Sequence, residues 1–144
     1  MGAGVCPEGS GESFAPTVAL TTMAIANLTM ERFAATVRQQ GTVFIDFWAG
    51  WCAPCRAFAP IFEAAAERHP DVTWCKVDTE TEQTIASALN VSSIPTLMIF
   101  RDGLLLFNQP GMLPAEALDE LVKRVQQLDM RALGAAAATS ASGR

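Results

Sequence analysis

The sequence predicts an α/β domain in which a central mixed sheet of about five strands is flanked by four helices. Three observations lead there. Short β-branched and aromatic runs at 42–48, 72–77 and 95–100 alternate with stretches of helical periodicity. Near the C-terminal end two apolar runs are joined by Asp102-Gly103, a strong two-residue hairpin signal. The resulting order, β-α-β-α-β-α-β-β-α, calls for a mixed sheet with helices on both faces.

Each element has its own reason. Residues 1–22 are rich in Gly, Pro, Ser and Thr and read as a flexible N-terminal arm. A short first strand is expected at 23–27. Thr29 is placed to cap a helix reaching about Gln39, with Phe33, Ala34 and Val37 on one face, and Gly41 ends it. The central strand, 42–48, is an apolar run broken by one carboxylate, Asp46, a costly place for a charge. The chain then breaks at Ala49-Gly50, presents Cys52 and Cys55, and continues as an Ala-rich helix to Arg68. Pro60 lies inside that helix, where it lacks the N–H and crowds the preceding turn. A strand at 72–77 and a short helix at 82–89 follow. Strands at 95–100 and 104–108 form the hairpin. The last helix, 114–128, carries Leu118, Leu121, Val122 and Val125 at core spacing. Residues 132–144 read as a disordered Ala/Ser-rich tail, which leaves 23–131 as the domain.

Composition narrows the function. The chain has 144 residues, half of them hydrophobic and 17% charged, which suits one globular domain with a sizeable core. A net charge of -5 without a basic run excludes a nucleic-acid backbone or an anionic membrane surface as partner. No segment approaches the ~18 uninterrupted apolar residues of a membrane span. Of four cysteines (Cys6, Cys52, Cys55 and Cys75) only one pair is closely spaced, unlike a secreted disulfide scaffold. No Lys or Arg precedes Arg32, so the signal-peptide pattern is missing and the expected compartment is the cytoplasm.

A Cys-x-x-Cys at a strand-to-helix junction is a redox arrangement. At the first helical or N-cap position, Cys52 meets free N–H groups and the positive end of the helix dipole, which favour the attacking thiolate. Cys55 lies about one turn on, on the same face, where it can close a disulfide with Cys52 and resolve a mixed disulfide. The competing reading is structural zinc. It needs four ligands, and the remaining candidates, Cys6, Cys75 and His69, are neither paired nor suitably spaced. Elsewhere, Trp48 is expected to support the active-site loop and Trp74 to be a partly buried strand residue. Cys75 reads as an inert core thiol and His69 as a solvated charge at a helix C-terminus. Cys6 receives no role.

The run Asp46-Phe47-Trp48-Ala49-x-Trp51-Cys52-x-Pro54-Cys55 resembles the thioredoxin family. The likeness continues through Ala59-Pro60, Lys76-Val77-Asp78, Ile94-Pro95-Thr96 and Gly111, covering about 24–130. It implies the thioredoxin fold and reduction of protein disulfides by Cys52 as nucleophile and Cys55 as resolving thiol. Asp46 resembles the family's buried aspartate, which assists proton transfer, and Lys76 the lysine that tunes it; a purely structural Asp46–Lys76 pair is the alternative. Ile94-Pro95 resembles the cis-proline loop facing the disulfide. The resemblance gathers Trp51, Ala53, Pro54, Ile94, Pro95 and Gly111, with Met112, into an apolar docking patch. Met112 and Pro110 depart from the family pattern there, which bears on fine substrate preference. The Ala53-Pro54 pair is closest to the Gly-Pro of reducing members.

The resemblance implies no bound cofactor, with electrons supplied from NADPH through a flavin-dependent thioredoxin reductase. The clients implied are disulfide proteins such as ribonucleotide reductase, peroxiredoxins and methionine sulfoxide reductases, served by a monomer in cell redox homeostasis and electron transport. Two rivals remain at this stage: an oxidant or isomerase of an oxidising compartment, and a binding module that uses the fold without the thiols.

Overall fold

The computed structural model describes residues 25–133. The expected N-terminal arm, Cys6, the first two residues of the expected first strand and all of the tail beyond 133 lie outside the described residues. In chain order the elements are β1 (Ile25–Asn27), α1 (Met30–Arg38), β2 (Thr42–Trp48), α2 (Ala53–Arg68), β3 (Thr73–Asp78), α3 (Gln83–Ala88), β4 (Thr96–Arg101), β5 (Leu104–Pro110) and α4 (Ala115–Gln127). Residues 130–133 add a further helical turn where the tail was expected to begin at 132.

One five-stranded sheet has the order β1-β3-β2-β4-β5. β3 pairs in parallel with β1 and β2, whereas β4 runs antiparallel to both β2 and β5. The mixed sheet follows from connection length. Helical crossovers link the parallel strands, and Asp102-Gly103 closes the β4–β5 hairpin. Both turn residues have positive φ (51° and 87°), the conformation a two-residue hairpin of the favoured hand requires and the reason this dipeptide signals it.

β2 sits at the centre, and its residues from Thr42 to Phe47 are all buried. Its side chains alternate between two cores. Phe44 enters a cluster with Phe58 and Phe62 of α2, Trp74 of β3, and Leu118 and Val122 of α4. Val43, Ile45 and Phe47 enter the other, with Cys75, Val77, Ile85 of α3 and Met98, against which Phe33 and Val37 of α1 pack. So α2 and α4 cover one face, and α1 and α3 the other. By the same alternation Asp46 and Trp48 share the face of Phe44, under α2.

Four expectations are corrected. Trp74 is fully buried, with its ring 4.6 Å from Phe44 and 5.1 Å from Phe62, and its indole N–H donates to the His69 carbonyl at 3.0 Å. β3 lies inside the sheet and its face on this side is covered by Phe58 and Phe62 of α2, so the partly polar ring goes inside once its N–H is satisfied. His69 is half-buried rather than solvated, because Asp119 of α4 bonds its Nε2 at 2.7 Å. Ala34 is exposed; only Phe33 and Val37 of that trio face the core. Thr29 occupies the N-cap, but its side chain makes no capping bond; its carbonyl accepts from Arg32 and Phe33 instead. α2 runs as one element through Pro60, and β5 extends to Pro110, which an edge strand tolerates.

Candidate active site

β2 ends at Trp48, and the buried Ala49 and exposed Gly50 carry the chain into α2. The Ala49 carbonyl accepts from the Cys52 N–H at 3.2 Å, setting Cys52 at the N-cap. Ala53 and Pro54 fill the first two helical positions, where a proline loses nothing because those N–H groups have no partner within the helix. Cys52 Sγ accepts from the Cys55 N–H at 3.2 Å. The two Cα atoms are 5.2 Å apart and the sulfurs lie at disulfide-bonding distance. A sulfur capping the positive end of a helix is placed where negative charge is favoured, which is the condition for a reactive thiolate.

The Ile94-Pro95 bond is cis, and the Ile94 carbonyl oxygen lies 3.8 Å from Cys52 Sγ. Pro95 accepts from the Gly111 N–H at 2.7 Å. Gly111 has φ of 103°, which suits glycine, and among the described residues no atom lies within 4 Å of where a Cβ would be, so the backbone there is open to an approaching chain. Of the expected docking residues, Trp51 is 67% exposed, and Ala53, Pro54, Gly111 and Met112 are also exposed. Ile94 is half-buried, while the Pro95 ring is buried and contributes shape rather than surface. Trp48 packs against Ala49, Cys52 and Cys55 as support, and its buried Nε1 has no hydrogen-bond partner among the described residues.

Asp46 is wholly buried, and among the described residues neither carboxylate oxygen has a hydrogen-bond partner. Burial pushes its pKa from 3.8 up to about 7, while the charge of Lys76 pulls in the opposite direction. Lys76 stands opposite Asp46 in the β2–β3 register, half-buried. Among the described residues Asp46 makes no ion pair; the Lys76 ammonium sits 5.2 Å from the centre of the Trp48 ring, within cation–π range. Cys75 is fully buried, and burial raises its thiol pKa to about 12, which keeps it protonated and unreactive.

Two contacts fall outside what the sequence suggested. Glu80 accepts from the Trp51 indole N–H, a pairing that no local rule of sequence marks. The β2–β3 register holds the signal: Trp48 lies opposite Asp78, so the residues after each meet beyond the sheet. Thr79 confirms it, bonding the Trp48 carbonyl through its N–H at 2.9 Å and its hydroxyl at 3.0 Å. Arg56, one turn into α2, reaches back to the Gly50 carbonyl at 2.7 Å.

This geometry has close parallels in known proteins. The Thioredoxin family model matches residues 24–124. A protein of Streptomyces coelicolor assigned as thioredoxin 2 is 50% identical over 103 residues, 72% of this chain and 77% of that one. Bacillus subtilis thioredoxin is 39% identical over 103 residues, 71% of this chain and 98% of the relative. Among solved structures, oxidised mitochondrial thioredoxin 3 of Saccharomyces cerevisiae superposes with a TM-score of 0.65 at 30% identity, over 72% of this chain and 98% of that one. Family match and cysteine geometry agree from β1 into α4: the chain belongs to the thioredoxin family and is a dithiol thiol–disulfide oxidoreductase, a protein-disulfide reductase whose redox group is the cysteine pair.

Proposed function

We propose that the domain of residues 23–131 is a cytoplasmic electron carrier that reduces client disulfides in cell redox homeostasis, acting as a monomer. In this reading the Cys52 thiolate attacks one sulfur of a client disulfide. The second client sulfur leaves as a thiolate and takes a proton, and a Cys52–client mixed disulfide forms. Cys55 then loses its thiol proton to Asp46 and attacks Cys52 Sγ. The client departs as a dithiol, and the chain keeps both oxidising equivalents as the 52–55 disulfide. Lys76 tunes the proton affinity of Asp46 through its charge.

Trp51, Ala53, Pro54, Ile94, Pro95 and Gly111 receive an extended client segment, with the Ile94 carbonyl beside Cys52 offered to its backbone. Electrons return from NADPH through a thioredoxin reductase. Ribonucleotide reductase, peroxiredoxins and methionine sulfoxide reductases are the client types that family membership suggests.

The observation that carries the reading is Cys52 at the N-cap of α2, its sulfur bonded by the Cys55 N–H and facing the cis Ile94-Pro95 loop. The reduction potential of the 52–55 couple, measured by thiol trapping in graded redox buffers, tests it. A value near about -270 mV fits a reducing donor, and one at or above about -180 mV would reverse the direction of electron flow and the compartment.

A further inference from the structure

Arg56 breaks a local rule. It stands four residues after the N-cap of α2, near the positive end of the helix, and no acidic residue occupies the first turn. Helix electrostatics favours the opposite sign there. Its side-chain bond is to a neutral group, the Gly50 carbonyl at 2.7 Å, and among the described residues no carboxylate pairs with it. Glu80 accepts from the Trp51 indole N–H and forms no ion pair with Arg56 among the described residues. The guanidinium is therefore an exposed cation tied to the loop that carries exposed Trp51 and ends at Cys52. Guanidinium has five N–H donors in a fixed fork, so the Gly50 bond leaves donors for a second acceptor. The rest of the molecule offers the contrast, since the chain carries a net charge of -5 and repels acidic segments at long range.

A charge that works against its own helix, is pinned in place and has no countercharge is suited to recognising one supplied from outside. We propose that Arg56 is a specificity-determining residue that pairs with a carboxylate flanking the client disulfide, so that preferred clients carry Asp or Glu beside the reactive cysteine. This rests on the reading above in which the surface around Cys52 docks the client. The pairing acts on client choice and encounter rate more than on the chemistry, because a rim charge in water steers and orients.

Two disulfide peptides test it, identical except for Asp or Asn next to the cysteine. kcat/KM for their reduction is measured with the wild-type chain, Arg56→Gln and Arg56→Lys. The ratio between the peptides is the readout, because any change in the Cys52 thiolate fraction cancels from it. The wild type is expected to favour the Asp peptide by about two- to fivefold at low salt, the range of an exposed ion pair. The preference should fall to about one in Arg56→Gln, persist in Arg56→Lys and shrink as the Debye length drops in high salt. A wild-type ratio at or below one, or a ratio that Arg56→Gln leaves unchanged, overturns the assignment. If neither peptide is reduced at all, the docking reading itself fails and takes this one with it.

Discussion

The folded protein should lose stability as pH rises from about 4 to about 7, and Asp46 is the cause. In the unfolded chain its carboxyl titrates near the ordinary value of 3.8; burial lifts it to about 7 in the folded state, against the pull of the Lys76 charge. Between those values the folded protein holds a proton that the unfolded chain has released. Stability therefore falls through this window by about 1.4 kcal/mol per pH unit. Roughly three units give a loss of about 4 kcal/mol, fully in place above pH 7. That is a large part of the ~5–15 kcal/mol by which domains of this kind are stable.

Asp46→Asn isolates the charge, since it keeps the shape and a polar group at the site while removing the ionisation. Urea unfolding of the oxidised protein, measured at several pH values for both chains, is the assay. At about pH 4 the two should agree within ~1 kcal/mol, because the folded wild type is already neutral at this position. At about pH 8 the variant should be the more stable by up to about 4 kcal/mol. A wild-type stability that is flat or rises across this range would refute the reasoning. So would an Asn variant displaced by the same amount at every pH, which would locate its effect in packing and not in the proton.

Three further outcomes follow from the geometry. Under the proposed roles, Cys55→Ser should halt turnover after the first exchange and accumulate a Cys52–client mixed disulfide visible on a non-reducing gel, whereas Cys52→Ser should accumulate none. Cys75, buried and held protonated with a pKa of about 12, should escape alkylation in the reduced native protein at pH 8 and take label only on unfolding, as peptide mapping would show. Leu118→Ala, at a fully buried position facing the α2 side of the sheet, should cost about 2–5 kcal/mol in urea unfolding while leaving the reduction potential in place.

What was legible in the sequence is what short-range rules control. β2 could be read because its buried stretch is an apolar run interrupted only by Asp46, and the β4–β5 hairpin because Asp102-Gly103 supplies the two positive φ values the turn needs. The cysteine pair could be read because N-cap chemistry and helical spacing are local. His69 and Trp74 could not. Their burial depends on Asp119, fifty residues beyond His69, and on a pairing order that puts β3 inside the sheet. The role of Glu80 was hidden for a related reason: its partner, Trp51, lies across the end of the sheet and not along the chain. The cis state of Ile94-Pro95 lies between these cases, since proline permits it locally but only the loop packed beside Cys52 selects it.

The two ends of α2 explain how one helix can hold a reacting pair of sulfurs steadily. At its C-terminal end Arg68 and His69 both bond Asp119 of α4, at 2.8 and 2.7 Å. Along its length Phe58, Phe62, Ala65 and Ala66 are buried against the sheet. At the N-terminal end the Cys52 N–H is bonded to Ala49, and Arg56 bonds both the Cys52 carbonyl, through its backbone N–H at 3.1 Å, and the Gly50 carbonyl. Tilting or unwinding the first turn would break several of these bonds together, so opening the 52–55 disulfide is more easily taken up by side-chain torsions than by backbone movement. The stabilising contacts are spread over the whole helix and both cores, while the destabilising group, Asp46, is confined to one side chain beneath that helix. A scaffold rigid in this way can carry a buried carboxyl poised near neutral pH without losing its fold, and relaxing the scaffold would hydrate Asp46 and return its pKa toward the ordinary value.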